Sequence, residues 1–155
     1  MTMREMEAKE KRIELPNEVL LEYVDSVLDK TRSVVLRCKG NSMLPFMRNG
    51  VDSVELVRTS AVAVGDIVLA RIAPAYYVMH RVIAVEDCSI TMMGDGNLSG
   101  TEKAALDDVI AQAVAVIRPD GTRVSLTDAK AMRRAWIWKQ LLPVRRVLLA
   151  IYRRI

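Results

Sequence analysis

Two hydrophobic periods alternate along this chain. In "LPNEVLLEYVDSVLDK" the positions Leu20, Leu21, Val24, Val27 and Leu28 recur at the spacing of one helix face, and Pro16 with Asn17 supplies a start signal. A short amphipathic helix from about Asn17 to Lys30 is predicted. The period then changes: "SVVLRCKG", "SVELVR", "DIVLARI", "YYVMHRVIAV", "SITMM", "VIAQAVAVIR" and "TRVSL" are short, rich in Val and Ile, and separated by Gly, Pro, Asn or Asp. Such runs predict a strand-and-turn body. From Asp128 the spacing is helical again, with Pro143 as a break or a helix start. On a helix beginning at Val144, the residues Val144, Val147, Leu148, Ile151, Tyr152 and Ile155 share one face, and Arg145, Arg146, Arg153 and Arg154 take the other. The pattern divides the chain into a charged segment with a helix (1–31), a β domain (32–127) and a basic amphipathic helical tail (128–155).

Composition narrows the classes. A chain of 155 residues, 51% hydrophobic and 27% charged, has room for one true core plus an appendage and is not a disordered composition. Cys38 and Cys88 stand far apart and outside any CxxC pair, so neither a disulfide framework nor a zinc knuckle is indicated. With one histidine, no metal or other cofactor is expected. The opening "MTMREMEAKEKR" is charged throughout and lacks the apolar core of a secretory signal. No run reaches the roughly 20 apolar residues that cross a bilayer. A cytoplasmic protein is expected.

Charge is uneven. From Lys130 onward there are eight Lys/Arg and no Asp or Glu; taking that +8 from the whole-chain +4 leaves −4 for residues 1–129. The basic pI of about 9.3 therefore describes the tail. A basic run is commonly a solvated face. Its alternatives here are packing of the apolar side on the β body or lying in an anionic membrane surface, with Trp136 and Trp138 at the headgroup level.

Candidate chemistry begins at "KGNSMLPFMRNG", where Ser42 sits in a turn punctuated by Gly40, Pro45 and Gly50. A serine hydroxyl needs a base within hydrogen-bond reach, and its carbonyl target needs donors aimed at the developing oxyanion. The Ser42 N–H and the Asn41 amide are candidate donors. Alone, a serine in such a turn is more often a turn-former than a nucleophile. The candidate base is His80, the chain's only histidine, in a strand-like run; histidine titrates near neutrality and can accept a proton at working pH. A third segment, "MGDGNLSGTEKAALDD", makes a sharp polar turn and supplies acids at Asp95, Glu102, Asp107 and Asp108. In order, the three segments offer nucleophile, base and orienting carboxylate.

That order, in these surroundings, resembles the serine peptidase clan of signal peptidase I and the LexA-type self-cleaving repressors. "GNSMLPFMRNG" looks like the G-x-S-M-x-P nucleophile box, "VGDIVLARI" is similar to the G-D-h-V strand, and "VMHRVIAV" resembles the strand carrying the general base. Bacterial signal peptidases and the repressors have Lys at that position. His80 before Arg81 and Val82, together with "GDGN", is similar to the endoplasmic reticulum type. The resemblance covers about Val34 to Val116.

The resemblance implies a small coiled, barrel-like β peptidase domain in which an extended peptide lies beside a strand, and a serine endopeptidase that cuts a peptide, leader or signal segment after small residues. Ser42 would be the nucleophile and His80 the base. Asn41, Met43 and Pro45 would belong to the oxyanion and substrate-binding region, and Met43 and Leu44 would line shallow pockets. The Asp that the endoplasmic reticulum type places a few positions after its G-D-x-N box is replaced here by "LSGTEK". As the acid orienting His80, Asp95 ranks first, Glu102 second, and Asp108 is a further possibility. Two alternatives stand beside the enzyme. One is a catalytically idle scaffold holding an extended peptide. The other is a LexA-like regulator, disfavoured because one helix in the first 30 residues is too little for a helix-turn-helix module. Expected partners are a peptide or precursor substrate and an anionic membrane surface at the inner face, with no nucleic acid.

Overall fold

An antiparallel sheet of eight strands organises the computed structural model, which describes residues 17–59, 61–74 and 76–154. The charged segment before Asn17 and the final Ile155 lie outside the described residues, as do the side chains of Leu20 and Leu21.

Helix α1 (Asn17–Leu28) ends two residues before the predicted boundary. Val24 and Leu28, one turn apart, are buried and Val27 is half-buried, so this face meets the sheet; burying two such side chains contributes roughly 3–6 kcal/mol. Arg58 pairs with Asp25 and Asp29, each at 2.6 Å, and pins the polar side.

The strands are β1 (Val34–Arg37), β2 (Ser53–Val57), β3 (Ile67–Ala73), β4 (Tyr76–Val85), β5 (Ser89–Met93), β6 (Glu102–Ala105), β7 (Val109–Ile117) and β8 (Arg123–Ser125). Their order is β1-β2-β7-β3-β4-β5-β6, all neighbours antiparallel, with β8 beside the end of β7. The mainly β architecture is as the periodicity indicated. The sheet stays open, with β1 and β6 at its two ends, rather than closing as a barrel. The strand absent from the periodicity is β6: "EKAA" has no β-branched residue, and pairing with β5 makes it a strand.

The first four residues of β3 are buried on both faces, and period-two alternation divides their side chains between two cores. Ile67 and Leu69 join the core under α1, with Met43, Met47 and Leu56; Val68 and Ala70 join Val78, Val82, Ile90 and Met92. The tail forms α2 (Ala129–Gln140), capped by the Asp128 carboxylate, which accepts from the Ala131 N–H, and α3 (Arg145–Arg154). Between them a turn runs through Pro143.

The predicted tail face is divided. Leu148 and Tyr152 turn inward with Leu149, whereas Val144, Val147 and Ile151 face solvent, and Arg145 is buried rather than opposite the apolar side. Tertiary contacts rotate the helix so that a Leu149-centred stripe meets the body. No described helix is long and apolar enough to cross a membrane.

Candidate active site

The Ser42 turn fills the connection from β1 to β2 and is closed at its base by the chain itself. Cys38 N–H donates to the Asp52 carbonyl at 2.9 Å, Gly50 N–H to the Cys38 carbonyl at 2.8 Å, and Gly40 N–H to the Asn49 side-chain oxygen at 2.9 Å. Gly40 has φ +81°, a left-handed angle at which a side chain would be strained. Met43, Leu44 and Met47 drop into the core behind Ser42, and the Leu44–Pro45 peptide is cis.

Asp52 is fully buried beneath this turn. Arg48 donates to both its oxygens at 2.8 and 3.0 Å, and Arg118 donates at 2.6 Å. Burial raises the Asp52 carboxyl, but the Arg48 hydrogen bonds and the Arg118 charge outweigh it, and its pKa lies below the ordinary value.

The "GDGN" turn after β5 lies directly on the Ser42 turn. Gly96 N–H donates to the Ser42 carbonyl at 2.7 Å. A Cβ on Gly94 would strike that carbonyl, and one on Gly96 would strike the Asn41 carbonyl, so both glycines are required by close approach.

His80 lies in β4 opposite Val68 of β3 and is only 6% exposed. Its Nδ1 is 2.8 Å from the Glu102 Oε2, at the start of β6. A carboxylate there accepts the Nδ1 proton, so Nε2 becomes the acceptor nitrogen of the neutral ring. Ser42, Met43, His80, Asn97 and Glu102 share a cavity of about 390 Å³, walled by residues 38–40 on one side and 76–79 on the other.

Asp95, ranked first by sequence, belongs elsewhere. Arg81 donates to it through Nε at 2.9 Å and Nη2 at 2.7 Å, with both side chains buried. The residue beside His80 in sequence therefore takes the box carboxylate, because alternation sends Arg81 to the opposite face. The carboxylate on His80 is that of Glu102. Asp108 is exposed in a 3-10 turn before β7. Asn41, Pro45 and Leu44 are not among the cavity-lining residues, whereas Met43 is.

No protein-family model matches this chain, and no curated protein matches it.

Several site residues escaped the sequence reading. Asn97 lines the cavity, and its place in the "GDGN" turn was the available signal. Trp138, expected at a lipid headgroup level, and Arg145 instead reach the same turn from the tail. Trp138 Nε1–H donates to the Asp95 carbonyl at 2.7 Å, and Arg145 Nη1–H donates to the Asn97 carbonyl at 3.1 Å. Phe46 of the Ser42 turn meets Trp138 edge-on, with ring centroids 6.4 Å apart. Cys38 also lines the cavity; burial, and next the Asp52 charge, push its thiol up to about 11, which keeps it protonated at neutral pH. Among the described residues no three His, Cys, Asp or Glu side chains gather as a metal would need.

Proposed function

We propose that this protein is a serine endopeptidase of the signal peptidase type, with Ser42 as nucleophile, His80 as general base and Glu102 orienting the imidazole. The observation that carries the reading is the 2.8 Å contact between His80 Nδ1 and Glu102 on the cavity that Ser42 also lines. A base paired with a carboxylate, on the same cavity as a serine in a glycine-framed turn, is the set of groups that acyl transfer needs.

The substrate's path is supported by a free strand edge. Among the described residues the first half of β4 pairs with β3 on one side only, because β5 joins β4 from Arg81 onward. The other edge of residues 76–79 borders the cavity, and an extended peptide could add there as a further strand through main-chain hydrogen bonds. Met43, Met47 and Met79 offer flexible apolar walls to its side chains.

In the reaction, His80 Nε2 takes the Ser42 proton as Oγ attacks the scissile carbonyl. The Ser42 N–H stabilises the oxyanion, and the imidazolium passes its proton to the leaving amine. Water then attacks the acyl-serine ester, with His80 again as base.

An active-site serine probe tests this on three proteins. Wild type should be labelled, while the Ser42→Ala and His80→Ala variants should not; with a cleavable peptide, the double variant should be little slower than either single one. Wild-type protein that binds peptide but is never labelled is the idle scaffold instead.

A further inference from the structure

The tail's outward face carries exposed apolar side chains that the fold does not use. On α3 the inward stripe of Arg145, Leu148, Leu149 and Tyr152 is used against the body. On the other side Val147 and Ile151, one turn apart, are 59% and 54% exposed, and Val144 at the end of the preceding turn is 48% exposed. Leu142 in the preceding turn and Trp136 and Ile137 of α2 are exposed as well.

Cations accompany this row. Of the eight Lys/Arg from Lys130 onward, only Arg145 is buried, and among the described residues none of the other seven has a carboxylate partner within ion-pair distance. Arg154 borders Val147 on the helix surface, and Arg146 and Arg153 lie along one side of the row, all three exposed.

We infer that the outward face of α3 docks on the surface of an anionic lipid bilayer, with Val144, Val147 and Ile151 entering the headgroup boundary and the arginines on lipid phosphates. Charge complementarity selects this occupant. A second copy of the chain would bring the same cations against these, and like charges oppose such pairing. A polyanion without an apolar layer would satisfy the arginines and leave the valines and isoleucine in water. An anionic bilayer meets both requirements at once.

The surface lies on the side of α3 away from the Arg145 contact with the "GDGN" turn, so docking leaves that contact undisturbed. This inference does not depend on Ser42 being a nucleophile.

The test is flotation of the full chain with vesicles of phosphatidylcholine alone or mixed with phosphatidylglycerol. Binding is expected only to the mixed vesicles and should be released by high salt. A Val147→Ser/Ile151→Ser double variant with an unchanged melting curve should bind about tenfold more weakly or worse. An Arg146→Gln/Arg153→Gln variant should also bind about tenfold more weakly and with a shallower salt dependence. Absence of flotation, or flotation that neither variant alters, overturns the inference. So does a concentration-dependent dimer that the Val147→Ser/Ile151→Ser variant abolishes without any lipid binding, which would assign the face to a second copy.

Discussion

Gly96 holds the Ser42 turn in place: its N–H donates to the Ser42 carbonyl at 2.7 Å, and its missing side chain makes room for the Asn41 carbonyl. A Gly96→Ala substitution puts a methyl group against backbone, which cannot swing aside as a side chain can. The Ser42 turn must move. We expect a loss of roughly 1–3 kcal/mol in stability by denaturant unfolding, together with loss of serine-probe labelling. A fully labelled, equally stable Gly96→Ala protein would show that the two turns are not rigidly docked.

In the proposed mechanism the Glu102 carboxylate acts through His80, 2.8 Å from its Nδ1, so its removal should affect turnover rather than folding. Glu102→Gln keeps the shape but supplies a neutral oxygen, leaving the imidazolium of the transition state unstabilised. Turnover of a cleavable peptide should fall by roughly 10²- to 10⁴-fold with little change in KM or melting temperature. An equal loss in Glu102→Gln and in an Asp107→Asn control would remove Glu102 from the mechanism.

Asp95 should behave in the opposite way. It forms a buried bidentate pair with Arg81, and its carbonyl receives the Trp138 indole N–H. Breaking such a pair strands a buried guanidinium and costs about 3–5 kcal/mol. Asp95→Ala is therefore expected to lower the unfolding midpoint steeply. If that variant melted like wild type yet lost activity, the carboxylate would have a chemical role that its Arg81 contact does not suggest.

Acid stability should follow Asp52. Its pKa is depressed in the folded state relative to the ordinary 3.8, with burial opposing the shift and Arg48 and Arg118 producing it. A depressed carboxyl contributes stability above its unfolded value and loses it as pH falls through the folded one. The wild type should thus lose stability below the ordinary Asp range faster than Asp52→Asn does, although Asp52→Asn starts less stable at neutral pH. Parallel stability curves for the two proteins over that range would contradict the assignment.

Much of the architecture was legible before any coordinates. Strands from "SVVLRCKG" to "TRVSL" announced themselves by β-branched residues between Gly, Pro, Asn and Asp, because alternation and turn chemistry are local properties. The helix at Asn17 and the tail helices are local in the same sense. Ser42 and His80 were also visible, one by its punctuated turn and the other as the only histidine.

Only the tertiary structure decided which carboxylate serves His80. "EKAA" gives no strand signal, since Glu, Lys and Ala are poor strand formers, and it becomes β6 because β5 offers it an open edge to pair with. That pairing sets Glu102 opposite Met92, within 2.8 Å of the imidazole, while Arg81 draws Asp95 to the other face of β4. The division of the tail into an inner stripe and an outer row has the same origin: helical periodicity defines which residues share a face, but Leu149 packing on the body and Arg145 reaching the Asn97 carbonyl select the face that remains in solvent.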